Sequence, residues 1–389
     1  MKKLLAMLLA LAMVFALAAC GGSTPAADTQ AEAPAEESAA EAEAPAAEAP
    51  AEEPAEAPAE EPAAAIDPLT ISFNATYREN EANGLLLQQF GQYVSDLSDG
   101  AITVNFLWGG TVYNDMTQFT ALRDGAIDMI SIQTTASADY VPYMSFAHYG
   151  VGDGATALQL WNEVMFENEE TSALITAEAE ANNIKYLNAM DMGSDVIVSN
   201  FEWSTLQELI DGCVVMGAGD YAQFEAMGIT CTFVIPPETY DALQRGICDS
   251  STLSLAGAYS MSWDEVANNV VMDGLRGTGG CLTVNLDWWN SLTDAQREVI
   301  QEAADMVAEY SIQMNDEAEA QQIAEIEERS NTTVKYLSEE DASTYYGYIF
   351  DTNAVTCLNR VAGDAEKTAG MNTILQYVAD YYGVDWSAD

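Results

Sequence analysis

From Ile66 onward the apolar positions switch repeatedly between two periods. Alternating runs, "LTISFNA", "AITVNFLW" and "AIDMISIQT", are separated by "NEANGLLLQQFGQYVSDLS" and "NDMTQFTALRD", where apolar residues recur three and four apart. Period two is the spacing of a strand and period 3.6 that of a helix. Such alternation predicts an α/β fold with mainly parallel pairing, since parallel neighbours need a crossover between them. One long helical stretch follows, "TALQLWNEVMFENEETSALITAEAEANN". A second series then begins: strands "IKYLNAM" and "DVIVSN", helix "STLQELI", strand "CVVMGA", helix "DYAQFEAMG", strand "TCTFVI" and helix "PPETYDALQRG". The two prolines open that last helix, where a missing N–H costs nothing. Beyond "CLTVNLDWWNSL" lies the longest helical stretch, Thr293 to Arg329, with Thr293 as N-cap and Gln296 as its capping-box partner. At ~1.5 Å per residue it spans roughly 55 Å, more than one domain is wide, so it is expected to lie across two.

One pattern occurs twice. "ALRDGAID" (121–128) and "ALQRGICD" (242–249) both spell A-L-x-x-G-x-x-D, 121 residues apart. Each reads as a helix stopped by a glycine, Gly125 or Gly246, at the left-handed position that a residue without a β-carbon occupies most cheaply. Each is followed by an alternating run, "DMISIQTT" or "DSSTLSLA". Helix, glycine, strand, twice over, suggests two similar half-structures.

The N-terminus changes the picture from a plain globular chain to an exported one. Lys2 and Lys3 precede an apolar run from Leu4 to Ala19 that ends Leu17-Ala18-Ala19-Cys20-Gly21. The run is shorter than the ~20 residues of a membrane-spanning helix. Small residues before a cysteine resemble a bacterial lipobox, which makes 1–20 a lipoprotein signal peptide and Cys20 the lipidation site. Residues 21–65 are mostly Ala, Glu and Pro, with twelve acids and no basic residue. No large side chain offsets their ordering entropy and like charges repel, so they read as a disordered, extended tether.

The remaining 324 residues carry 50 acids and 10 basic residues, a charge of −40, and exceed the size of one ordinary core. Nucleic acid is excluded as a partner, because phosphate neutralisation needs clustered Lys and Arg. Cys213, Cys231, Cys248, Cys281 and Cys357 are odd in number and show no C-x-x-C spacing, which argues for buried thiols over a disulfide framework. The one histidine, His148, has no nucleophile motif near it, and the spacing supports neither a zinc site nor a phosphate loop. No catalytic residue, metal or cofactor is expected.

Several motifs in order carry a family resemblance: "FGQYVSDLSDGAITVNF", "ALRDGAIDM", "PPETYDALQRGICD" and "VNLDWWNSLTDAQREVIQEAA". The most specific are P-x-E-x-Y-x-A-L-Q-x-G at Pro236–Gly246 and N-x-x-W-W-x-x-L at Asn285–Leu292. From residue 69 almost to the C-terminus the chain resembles the solute-binding proteins of tripartite ATP-independent periplasmic (TRAP) transporters, of the C4-dicarboxylate-binding-like type. The resemblance implies a two-lobed, periplasmic-binding-protein-like α/β fold with hinge strands and a long helix spanning both lobes. Lobe 1 is expected over 66–192 plus 279–318 and lobe 2 over 193–278 plus 319–389. It implies a non-enzymatic receptor that captures a small organic solute between the lobes and delivers it to TRAP permease subunits, here from a lipid anchor on the membrane. An exported sensor or adhesion lipoprotein on the same fold is the alternative.

The resemblance also exposes departures. The family's carboxylate anchor is an arginine in a strand reading G-L-K-I-R-V-P; here Gly212 to Ala218 read G-C-V-V-M-G-A, with Met216 in its place. A second common arginine falls at Asp195, and a common asparagine at Leu253. Carboxylates entering a closed cleft lose hydration that charged or multiple hydrogen bonds must replace. Without the arginine the site should favour a neutral, aromatic or cationic solute, unless Arg78 or Arg276 supplies the charge. Strand alternation expects Met216 on the cleft side. By position, Tyr77, Trp108, Tyr113 and Gln133 complete the candidate ligand-binding set.

Overall fold

The computed structural model describes residues 66–387 except 134–136, 147–148, 220 and 331; nothing is described of side chains 132, 133, 149, 278 and 279. Cys20, the signal and tether (residues 1–65), and His148 lie outside the described residues. The first strand–helix series is β1 (Leu69–Asn74), α1 (Ala82–Leu97), β2 (Ile102–Leu107), α2 (Gln118–Arg123) and β3 (Met129–Gln133). Short β4 (Tyr149–Val151) precedes α3 (Gly154–Asn162), α4 (Glu169–Ala181) and β5 (Ile184–Tyr186). The stretch expected as one helix is therefore two, joined by a π-helical turn over Glu163–Glu167. Asn168 breaks it: its backbone is extended, and its side chain accepts from Glu170 and Thr171 N–H, both at 3.1 Å, starting α4 afresh.

The second series is β6 (Met190–Ser199), α5 (Leu206–Gly212), β7 (Met216–Ala218), α6 (Ala222–Ala226), β8 (Cys231–Phe233), α7 (Pro236–Gln244), β9 (Ser250–Ser254) and α8 (Leu255–Ser260). Then come β10 (Asn269–Asn285), α9 (Leu286–Ser291), α10 (Asp294–Ser330), β11 (Lys335–Tyr336), α11 (Glu339–Arg360) and α12 (Ala365–Tyr382). β10 is 17 residues long and runs straight through "GLRGTGG", a segment whose glycines hide it from a strand reading. Thr293 and Gln296 exchange the two bonds of a capping box, at 3.0 and 3.2 Å, at the start of α10.

The strands make one sheet in the order β2-β1-β3-β10-β6-β9-β7-β8, with β4, β5 and β11 also on β10. β1 pairs parallel with β2 and β3, and β7 parallel with β8 and β9. Between these parallel ends run β10 and β6, antiparallel to each other. Met129–Gln133 of β3 pair with Gly280–Val284, while Val196–Ser199 of β6 pair with Asn269–Met272. One strand thus serves both ends of the sheet. Its register against β6 slips between Met272, Arg276, Thr278 and Gly280, and such bulges bend a strand and free part of its ladder. Gly274 (φ 79°) sits in the first slip, and a β-carbon there would come 2.6 Å from Ala342 Cβ, so both conformation and space demand glycine.

α10 does cross the sheet. Near its start Gln296 reaches Asp67 O and Val299, Ile300, Ala303 and Val307 join the core beneath β1 and α1. Near its end Glu325 bonds Tyr259, and Arg329 pairs with Asp264, beside α8. The C-terminal helices reach residues 142–163, across the lobe boundary that the resemblance implied: Cys357 donates to Ser145 O, and Tyr377 to Glu163 at 2.7 Å.

The repeated motif has the same job at both ends. Gly125 (φ 74°) and Gly246 (φ 67°) end their helices in the left-handed conformation. The motif aspartates then clip the neighbouring parallel strand. Asp128 Oδ2 accepts from Ser72 N–H at 2.7 Å, and Asp249 Oδ2 from Val215 N–H at 2.8 Å. The backbone N–H of each aspartate donates back to the carbonyl of the same residue. This is a duplicated architectural tie.

Candidate functional site

In open α/β sheets ligands bind beyond the carboxyl ends of the parallel strands, where the topology switches. One set of such ends is Asn74, Leu107 and Gln133; the other is Ala218, Phe233 and Ser254. Gln133 pairs with Gly280 and Ser254 with Asp195. The slipped middle of β6 and β10, residues 191–195 and 273–280, therefore lies between the two sets of strand ends.

The first set is backed by a tied pair of loops. Gly109 N–H donates to Tyr77 O at 2.9 Å and Gly110 N–H to Ala75 O at 3.1 Å. Trp108 stacks on Phe106, ring centres 4.6 Å apart, and Tyr77 and Trp108 both pack half-buried on the core. Asn74, fully buried, donates to Tyr113 O at 2.9 Å and has a second polar atom, Oδ1, without a partner. Gln133 contributes its backbone to the end of β3. Arg78 stands apart: its side chain is 80% exposed, with Glu81 3.8 Å away, so water already solvates its charge.

On the other side, Met216 has no exposed surface. It belongs to the largest core cluster, with Cys213, Phe224, Met227 and Ile229. Leu253 is half-buried against the neighbouring cluster and packs on Gly257 of α8. Asp195 is 8% exposed at the end of the β6–β9 ladder.

Arg276 is buried and fully engaged. Its Nε and Nη2 hold both oxygens of Asp191 at 2.8 Å, a bidentate pair in which Asp191 has no exposed side-chain surface. Nη2 also meets Asp316 at 2.7 Å, and Nη1 meets Glu319 at 3.5 Å and Ser194 at 3.3 Å. Gly154 lies against the guanidinium, 3.0 Å from where its β-carbon would be. Burial pulls the guanidinium down, but hydrogen bonds and charge pairing with Asp191 and Asp316 outweigh it and hold Arg276 above its ordinary value. To clamp a ligand carboxylate, Arg276 would have to abandon a buried aspartate, which is strongly unfavourable.

Sequence reasoning missed the acids that answer Arg276, and it missed Asp273. Among 50 acids none stands out; the available signal was the scarcity of bases, which makes each buried arginine a place to look for carboxylates. All five described cysteines are free, and burial pushes Cys213, Cys231, Cys248 and Cys357 up to about 11, leaving inert thiols. A separate groove of about 430 Å³, bordered by Leu158, Phe166, Lys185, Asn188, Asp305 and Glu309, contains none of the candidates.

Comparison with known proteins settles what such a crevice belongs to. The family described as bacterial extracellular solute-binding protein, family 7 (DctP), matches residues 73–346. The chain belongs to this family. Family 7 proteins bind substrates and do not turn them over, and they act outside the cytoplasm. Similar curated proteins are the C4-dicarboxylate-binding protein DctB of Bacillus subtilis (strain 168), 21% identical over 71% of this chain and 78% of its own length, and the C4-dicarboxylate-binding periplasmic protein DctP of Rhodobacter capsulatus, 20% identical over 72% and 84%. Among solved structures, the apo ectoine-binding protein TeaA of the TeaABC TRAP transporter superposes with TM-score 0.69 at 18% identity, covering 81% of this chain and 99% of TeaA. The fold is the two-lobed one of TRAP solute-binding proteins, and this family 7 chain is a receptor for small solutes. No helix among the described residues is long and apolar enough to cross a membrane.

Proposed function

We propose that this family 7 protein is a lipoprotein, anchored through Cys20 and held off the membrane by residues 21–65, that hands its solute to a TRAP permease. We further propose that the solute is neutral or bears an amine, and is not a plain carboxylate. One observation carries the second part: among the described residues, no arginine beside the two sets of strand ends has a free guanidinium. Arg276 is saturated by Asp191, Asp316 and Glu319, Arg78 is out in solvent, and the resemblance puts Met216 where the family's usual anchor arginine stands. A desolvated carboxylate would meet Asp195, not a cation, and would lose more hydration energy than the crevice returns. Tyr77, Trp108 and Tyr113 suit a partly apolar solute, and Asp195 suits an amine or hydroxyl. DctB and DctP are both named for C4-dicarboxylates and TeaA for ectoine, so relatedness alone does not choose among solutes.

A thermal-shift panel on the mature domain tests this, with succinate, putrescine, glycerol and tryptophan as first probes. A ligand at ~100 times its Kd adds about 2.7 kcal/mol to native stability, which a melting curve resolves easily. Stabilisation is expected from the amine-bearing or neutral members. Strong stabilisation by succinate that survives Arg78→Ala would overturn the electrostatic reading.

A further inference from the structure

The slipped middle of the β6–β10 ladder holds two buried carboxylates with too little room for two charges. Met272 of β10 pairs with Val196 of β6, so the next residues, Asp273 and Asp195, come opposite each other where the register slips. They share a face, since Val271 and Ile197, two positions away on each strand, lie in the same core cluster. Asp195 is 8% and Asp273 1% exposed. One oxygen of Asp273 accepts from Leu275 N–H at 3.0 Å; the other, Oδ2, is buried without a partner. Like charges directly opposite on neighbouring strands repel, and burial removes the water that would screen them.

We propose that Asp195 and Asp273 hold a proton between them at neutral pH, and that this proton closes the slipped register of β6 and β10, making the hinge of the receptor proton-linked. Two carboxylates that share a site keep one proton far into the neutral range. Burial, and then the charge of Asp195, push the Asp273 carboxyl well above the usual range, while the Leu275 N–H bond pulls weakly the other way. Titratable groups on the surrounding described elements are few. α11, whose Ala342 meets Gly274, turns Tyr345 and Tyr346 inward; β11 offers the exposed Tyr336; Arg276, further along β10, is bound by its own acids. Loss of the proton places two charges across a ladder already weakened by three register shifts. The strands that must flex when the lobes move should then loosen first. This holds for the ligand-free chain and does not depend on which solute it binds.

The test uses the unliganded mature protein. Aspartate-selective 13C carboxyl NMR reads the titration directly, and hydrogen exchange of the 196–199 and 270–275 segments, corrected for intrinsic rates, reads the hinge. Asp273 should titrate far above the ordinary ~3.9 of an aspartate. Exchange in those two segments should rise severalfold between roughly pH 6 and roughly pH 9, with β1 and β2 unchanged. Asp273→Asn, compared in a Glu178→Gln background that removes the other high-titrating carboxyl, should abolish the rise. Titration of Asp273 in the ordinary range would overturn the proposal even if the variant failed to fold. So would a rise in exchange shared equally by β1 and β2, or one that persists in Asp273→Asn.

Discussion

Arg276 and Asp273 stand three residues apart on one strand, both buried, and their surroundings are opposite. Around Arg276 three carboxylates converge on one cation, and every donor direction of the guanidinium that faces them is used. Around Asp273 a second carboxylate faces the first, and an oxygen is left without a donor. The first arrangement ties β10 to β6 through Asp191 and to the long helix α10 through Asp316 and Glu319. The second strains the same two strands. A strand that must flex between two lobes is thus pinned at one point and kept soft at its neighbour. The difference shows that burial alone does not set whether a charge stabilises: what faces it does.

Breaking the pinned side should have the largest effect. Arg276→Met leaves Asp191 charged and buried with no cation, and is expected to cost about 3–5 kcal/mol in chemical denaturation. Asp316→Asn, at a side chain 55% exposed, should cost less than ~1 kcal/mol. If the two variants were equally mild, the cluster would be surface decoration and the contrast with Asp273 would fail.

A lone buried acid sharpens the comparison by separating burial from like-charge repulsion. Glu178 on α4 accepts from Tyr143 N–H at 2.9 Å and has one oxygen, Oε1, without a partner. Burial raises it to about 7, against weaker pulls from the Tyr143 bond and from Lys367. A carboxyl raised on folding binds its proton more tightly in the native state, so its contribution is fully present below the unfolded range near ~4.3 and is lost as pH climbs through about 7. Above that, Glu178→Gln should be the more stable form, by on the order of 2–3 kcal/mol, and the two should converge in acid. Parallel pH–stability curves for both proteins would remove Glu178 as the burial-only reference.

The smallest effect compares the two ends of the sheet. Gly125→Ala and Gly246→Ala each force a β-carbon into left-handed backbone, with no atom nearer than 3.9 Å to resist it. Each should cost about 1 kcal/mol, through backbone strain alone. A marked inequality between them in thermal melts would show that the duplicated motif is not the same device twice.

Most of the architecture was legible because it rests on local rules. Periods of two and 3.6 placed both strand–helix series, the Thr293–Gln296 box placed the start of α10, and the A-L-x-x-G-x-x-D pair announced helix, glycine and strand at two places, though not the aspartate ties they form. Several elements went unread, α8, β11, α11 and α12 among them, and two others were misread or hidden. The helix read across 156–183 breaks at Asn168, because a side chain able to cap competes there with the helix it would otherwise continue. The strand through Asn269–Asn285 was hidden by its glycines, whose value lies in bulging a ladder that only exists once β6 is beside it.

The candidate site was legible only as positions. Arg78 and Arg276 look alike in a sequence; one ends in water and the other in a cage of carboxylates contributed from 85 residues before it and 40 and 43 after it. Asp273 was one acid among many until β6 brought Asp195 opposite. Periodicity and length pointed by themselves to a two-domain α/β chain, and the resemblance carried by its ordered motifs implied the two-lobed solute receptor, because those signals are carried by neighbouring residues. The ionic character of its crevice was decided only by the tertiary structure, because Coulomb energy and desolvation depend on distance in space and on the exclusion of water, and neither is a property of spacing along the chain.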